Sequence, residues 1–201
     1  MTRRLVLATD NPGKLRELAA MLGDRWEVLP QGHFGVRSAP ETGTTFRANA
    51  ELKARHAAAA TGLPSIADDS GLEVDALDGA PGVDSANYAG PAAGDAANNA
   101  RLLAALAAVP PPRRSARYRC VLVFVRSFDD PHPLVAEGSW EGSIADAPRG
   151  SGGFGYDPLF IDAATGRTGA ELGPAEKNAA SHRGQALRRL QQLLDDPGPG
   201  A

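Results

Sequence analysis

ARYRCVLVFVRSFDDPHPLVAEGSWEGSI, residues 116–144, decides the fold class. Two long runs rich in β-branched and aromatic residues flank DDPHP (129–133), a cluster of turn formers. The stretch therefore predicts two long strands joined as a hairpin. A hairpin sets its strands antiparallel, which argues against an all-parallel sheet. Working outward, RLVLAT (4–9) is a short buried strand and DNPGKLRELAAMLG the helix after it, with Asn11 as cap, Pro12 in the first turn and Gly23 as stop. WEVLP (26–30) reads as a strand. TTFRANAELKARHAAAATG (44–62) reads as a helix capped by Thr44 or Thr45 and ended by Gly62. On it Asn49 and Lys53, four apart, share one face, while Phe46, Ala50, Ala54 and Ala57 supply a packing face. PSIADDSGLEVDAL predicts strand, turn and strand, with the turn at Asp68–Gly71. A Gly/Pro/Ala loop, a helix over 95–109, a glycine-rich loop leading into a strand, and a helix over 181–194 complete the pattern. Strand–helix alternation followed by a hairpin predicts an α/β protein with a mixed sheet. Residues 1–194 are expected to form one domain, and 195–201 a flexible tail.

A formal net charge of −3 argues against a protein that coats nucleic acid. It leaves room for a local basic pocket for one anionic molecule. The single cysteine, Cys120, excludes a disulfide within the chain and sits in an apolar run, as a buried small residue would. No stretch approaches a membrane span, and the N-terminal apolar run is short for a signal peptide. The expectation is a cytoplasmic protein with neither nucleic-acid nor membrane partners.

Three stretches carry candidate chemistry. In ATDNPGK a strand runs straight into a helix, whose first amides and dipole attract anions; Gly13 permits close approach and Lys14 adds charge. The competing reading is an ordinary capped helix. GSGGFGYDP holds four glycines at positions 150–155, costly backbone for a mere connector, with Phe154 and Tyr156 either stacking on a flat base or tucked into the core. EKNAASHRGQAL gathers the donors Lys177, His182 and Arg183 about a helix start, suited to a carbonyl-bearing or anionic ligand. The acids Glu41, Asp68 and Asp69 are of the type that, with substrate phosphates, holds Mg²⁺. Adjacent carboxylates raise one another's pKa unless a cation intervenes.

Together ATDNPGKLRELAAML, ETGTTFRANAELKA, IADDSGLEVDALDGAPGVDSA, GSGGFGYDPLF and EKNAASHRGQAL resemble the inosine/xanthosine triphosphate pyrophosphatases, in that family's order and across residues 8–187. The resemblance implies an elongated mixed sheet flanked by helices, two lobes about a nucleotide cleft, a homodimer, and Mg²⁺-dependent (or Mn²⁺-dependent) release of pyrophosphate from deaminated purine nucleoside triphosphates. It implies phosphate binding by Thr9, Asp10, Asn11, Pro12, Gly13, Lys14 and Lys53, metal ligation by Glu41 and Asp68 or Asp69, and Asp69 as proton acceptor. Ser70 would touch the substrate. Phe154, Gly155, Tyr156 and Asp157 would enclose the base, and Lys177, His182 and Arg183 would bind its 6-oxo edge. The physical logic agrees, because a pocket of donors would leave adenine's amino group unpaired. Three positions depart from the family pattern: Asp10 replaces a glycine, Asp84 a tyrosine and Asn87 a basic residue. Asp10 is therefore expected to point away from the phosphates or to help hold a cation. The competing functions are a Maf-type nucleotide pyrophosphatase and a non-catalytic nucleotide-binding module.

Overall fold

The computed structural model describes residues 3–22 and 26–195. The expected helix stop at Gly23 and the expected tail beyond residue 195 lie outside the described residues. In chain order the elements are β1 (Arg3–Leu7), α1 (Pro12–Leu22), β2 (Trp26–Pro30), α2 (Phe46–Thr61), β3 (Ser65–Val74), α3 (Asp95–Ala105), β4 (Ser115–Val125), β5 (Leu134–Ile144), β6 (Phe160–Asp162), α4 (Pro174–Ala180) and α5 (His182–Asp195). One six-stranded sheet runs in the order β2-β1-β3-β4-β5-β6. β1 pairs parallel with β2 and with β3, whereas β5 and β6 are antiparallel, so the sheet is mixed.

The chain divides into two compact units. The first holds residues up to Asp69, Cys120–Gly138 and the chain from Arg183; the second holds Ser70–Arg119 and Ser139–His182. In the first unit the strand period of two sorts the core into two layers. Leu5, Leu7, Ile66, Cys120, Leu122 and Phe124 pack with Leu18 and Leu22 of α1 and with Ala186, Leu187 and Leu190 of α5. Their sequence neighbours Val6, Ala8, Ala67, Val121, Val123 and Val125 pack with Ala50, Ala54, Ala57 and Ala58 of α2. The alanine face lets α2 lie close enough for the Ser65 hydroxyl to donate to the Ala54 carbonyl at 2.5 Å. Thr45, whose side chain accepts from Ala48 N, caps α2, and Gly62 ends it in the left-handed region. The second unit is built around Leu72, Leu102, Leu106, Tyr118, Trp140, Tyr156 and Phe160.

Four expectations are corrected. SIADDSGLEV forms one unbroken ten-residue strand, because side chains far along the chain compensate its acids and remove the need for a solvated turn. α3 ends at Ala105 rather than 109. Lys177 lies inside a helix of its own, α4, separated from α5 by Ser181. Asp195, expected in the tail, closes α5.

Candidate active site

β3 brings Asp68 and Asp69 into the first unit's core, where they are 1% and 5% exposed. Successive strand residues point to opposite faces, so Asp68 follows Ile66 toward α1 and α5, and Asp69 follows Ala67 toward α2. Each then meets its own cation. Asp68 takes the Arg183 Nε at 3.0 Å, the Cys120 thiol at 3.1 Å and the Lys14 ammonium. Arg183, 2% exposed, also gives Nη1 to Glu17 Oε2 at 2.5 Å. Burial works against the charge of Arg183, but Asp68 and Glu17 outweigh it and hold the guanidinium above its ordinary value.

On the other face Lys53 Nζ lies 2.6 Å from Glu41 Oε1 and 2.9 Å from Asp69 Oδ1. Burial lowers the Lys53 pKa, but Asp69 and Glu41 more than reverse the effect. Burial pushes Asp69 up, and Lys53 only partly offsets it, which suits a proton acceptor. The second oxygen of Asp69 accepts from Asn49 Nδ2 at 3.2 Å, and Asn49 Oδ1 accepts from Gly43 N at 2.7 Å. Of the three expected metal ligands, the structure thus joins Glu41 and Asp69 through one cation and sends Asp68 to the opposite face. Among the described residues no three histidine, cysteine, aspartate or glutamate side chains converge as a ready metal site. Two carboxylates converging on one positive centre nevertheless fit Mg²⁺, which needs only one or two when phosphates complete its shell.

The start of α1 is capped by side chains of its own segment. Asn11 Oδ1 accepts from Gly13 N and Lys14 N at 2.9 and 3.1 Å, and Thr9 Oγ1 accepts from Asn11 N at 3.2 Å. Those amides are engaged rather than open, and Pro12 carries no N–H. Lys14 Nζ is the full positive charge at this end. Asp10 turns to the segment after β2, accepting from Gln31 Nε2 (2.8 Å), Ser38 Oγ (2.8 Å) and Ser38 N (3.2 Å). Burial raises its pKa, but these donors win and leave it below the usual carboxylate value.

In the second unit Asp157 organises the glycine loop. Its carboxylate accepts from Phe154 N (2.8 Å) and Lys177 Nζ (2.6 Å), and Lys177 also lies 4.7 Å from the Phe154 ring centroid. Gly153, at φ +72°, could carry no side chain, since a Cβ would strike the Asp157 carboxylate. Gly155 is held at both ends: Asp95 Oδ2 accepts from its N–H at 2.6 Å, and Asn99 Nδ2 donates to its carbonyl at 2.8 Å. The two ring readings divide: Tyr156 is core, its hydroxyl donating to the Ser85 carbonyl at 2.8 Å, while Phe154 is half-buried. His182 stacks on Tyr118, with centroids 4.7 Å apart and planes 6° from parallel. The Arg183 guanidinium is the one already described on Asp68 and Glu17. Ser70 is a half-buried residue of β3, and Asp84 and Asn87 are exposed. Sequence reasoning missed Glu17, Asp95 and Asn99 and read Asn49 only as a helix-face neighbour of Lys53. Asn49, Asn98 and Asn99 carried a signal, as amides at helical positions that are buried here.

A sequence model of the Ham1 family matches residues 5–193. The dITP/XTP pyrophosphatase of Methylococcus capsulatus is 59% identical over 195 residues, covering 96% of this chain and 97% of that one. The protein of the same name from Thioalkalivibrio sulfidiphilus is 58% identical over 95% of this chain and 98% of its own. A HAM1 protein structure from Coxiella burnetii superposes with a TM-score of 0.88 at 50% identity, covering 96% of this chain and 99% of that one. With the fold and the sequence agreeing over almost its whole length, the chain belongs to the Ham1 family.

Proposed function

We propose that this chain hydrolyses deaminated purine nucleoside triphosphates, of the dITP and XTP type, to the monophosphate and pyrophosphate. The observation that carries the reading is Lys53 bridging Glu41 and Asp69 on the α2 face of β3. That arrangement supplies a phosphate-binding cation, two oxygen ligands for a metal, and a buried carboxylate with a raised proton affinity. The dITP/XTP pyrophosphatases at 59% and 58% identity support the same chemistry.

In this reading Lys14 and Lys53 turn from carboxylates to phosphates, and Thr9 to Gly13 line the backbone beside them. Asp69 accepts the proton of the attacking water as the linkage between the α and β phosphates breaks and pyrophosphate departs. Glu41 and Asp69 would hold Mg²⁺, or Mn²⁺ in its place, which when bound polarises the phosphates and that water. Asp68 stays an anion braced by Arg183. Ser70 contacts the substrate; Phe154 and Gly155, with the backbone of Tyr156 and Asp157, form the wall of the base pocket. Lys177 and His182 present donors to a 6-oxo group, against which adenine's amino group would be left unpaired. The family resemblance also carries a homodimer and a cytoplasmic setting, neither needed by this chemistry.

Product analysis with ITP, XTP, ATP and GTP tests the reading. IMP plus pyrophosphate, with ATP and GTP nearly untouched, is expected; IDP plus phosphate would move the cleavage to the γ phosphate and overturn it.

A further inference from the structure

Asn49 is 2% exposed, and its amide is committed at both ends. Its orientation follows from its partners: the Gly43 N–H needs an acceptor and the Asp69 carboxylate needs a donor, so the oxygen faces Gly43 and the nitrogen faces Asp69. Gly43 has no room for a side chain, because a Cβ there would lie 2.7 Å from Asn49 Oδ1 and 2.9 Å from Ala48 Cβ. Glu41 stands two residues before Gly43, so the segment carrying it is pressed onto the first turn of α2. One amide therefore ties the Asp69 carboxylate to the backbone of the segment that carries Glu41.

The two donors on Asp69 differ. Lys53 is a cation that a phosphate would compete for, and Asn49 is neutral, its amide held at both ends. We infer that Asn49 is a positioning residue for the hydrolysis: it holds the Asp69 carboxylate and the Glu41 segment in place when the charge of Lys53 is drawn to the nucleotide. The inference rests on the role proposed above for Asp69. Partners of this kind, one step removed from the reacting groups, typically cost about 10–100-fold when removed.

The test compares Asn49→Ala, Asn49→Asp and Asp69→Asn in steady-state ITP hydrolysis, with thermal melts of each. Asn49→Asp keeps the shape and the acceptor for Gly43 but offers Asp69 no donor; assay at about pH 9 limits proton sharing between the two carboxyls. The expected result is kcat lowered by about 10–100-fold in both Asn49 variants with KM for ITP little changed. Asn49→Asp should be at least as slow as Asn49→Ala. Should Asn49→Ala fail to fold, Asn49→Asp carries the test alone. A kcat at the unaltered level in Asn49→Asp, or a loss confined to KM, would overturn the inference. Asp69→Asn separates the two failures: if it keeps turnover, the role of Asp69 is wrong, whereas if it is dead and the Asn49 variants are normal, only the positioning role is.

Discussion

Replacing Arg183 by methionine asks what the most deeply buried cation of the first unit does. The guanidinium reaches Asp68 at 3.0 Å and Glu17 at 2.5 Å. Methionine fills a similar volume but removes the guanidinium that buried Asp68 and half-buried Glu17 share. Removing one partner from a buried ion pair costs about 3–5 kcal/mol. For a chain of this length each kcal/mol is about 2–4 °C, so the melting temperature should fall by about 6–20 °C. Differential scanning calorimetry reads this directly. Arg183→Lys should recover little, since one ammonium cannot reproduce the fork that serves both acids. Arg183→Met combined with Glu17→Gln should recover part of the loss, because one of the two charges that shared the guanidinium is gone, and the double-mutant cycle isolates that coupling. A melting temperature within about 2 °C of the unaltered protein, together with a raised KM for ITP, would refute the reasoning and return Arg183 to reading the base.

Lys53→Met should lower kcat/KM for ITP by about 100-fold or more, as loss of a preorganised charge at a reacting phosphate does; a rate near the unaltered one would remove Lys53 from the site. Asp157→Asn leaves Lys177 without its anion and weakens the acceptor for Phe154 N–H. KM for ITP should then rise about tenfold, the effect of losing one charge-assisted hydrogen bond, and an unchanged KM would count against the loop's role. Asp162 accepts from Trp140 Nε1 at 2.8 Å and from the amide and hydroxyl of Thr165 at 3.0 and 2.7 Å. Burial raises its pKa, but these donors carry it below the ordinary carboxylate value. The unfolded chain, with a value of about 3.9, therefore takes up this proton first as pH falls. The contribution of Asp162 to stability is complete above that value and lost as pH drops through the depressed folded one. Asp162→Asn should thus cost stability in urea melts at neutral pH and progressively less in acid; an equal penalty throughout would exclude the ionised contact.

The sheet class was legible from residues 116–144 because strand pattern and turn chemistry are local properties. The helix bounds of α1 and α2 were legible for the same reason, through Asn11, Thr45 and Gly62. β3 was misread because Asp, Asp, Ser and Gly in succession have turn propensity, and the donors that override it stand elsewhere: Lys14, Asn49 and Lys53 before it, Cys120 and Arg183 well after. Strand geometry points the pair of like charges to opposite faces, where each meets its own cation. Nothing local marks Glu17, whose buried partner Arg183 comes from α5 far along the chain. Asp95 and Asn99 read as ordinary members of a helix, and their hold on Gly155 spans 60 and 56 positions, beyond any local pattern.

The alanine face of α2 acts as a spacer gauge. Ala50, Ala54, Ala57 and Ala58 carry no reactive group, yet their small volume sets the gap that Lys53 and Asn49 must span to reach Asp69. An added methyl or two at these positions costs about 1–3 kcal/mol in overpacking, which a domain can absorb. A shift of about 1 Å in the reacting groups can cost 100-fold in rate. Variation along this inner face will therefore surface as well-folded protein with slow turnover, and the tolerances of the chemistry are written in the smallest side chains of the core.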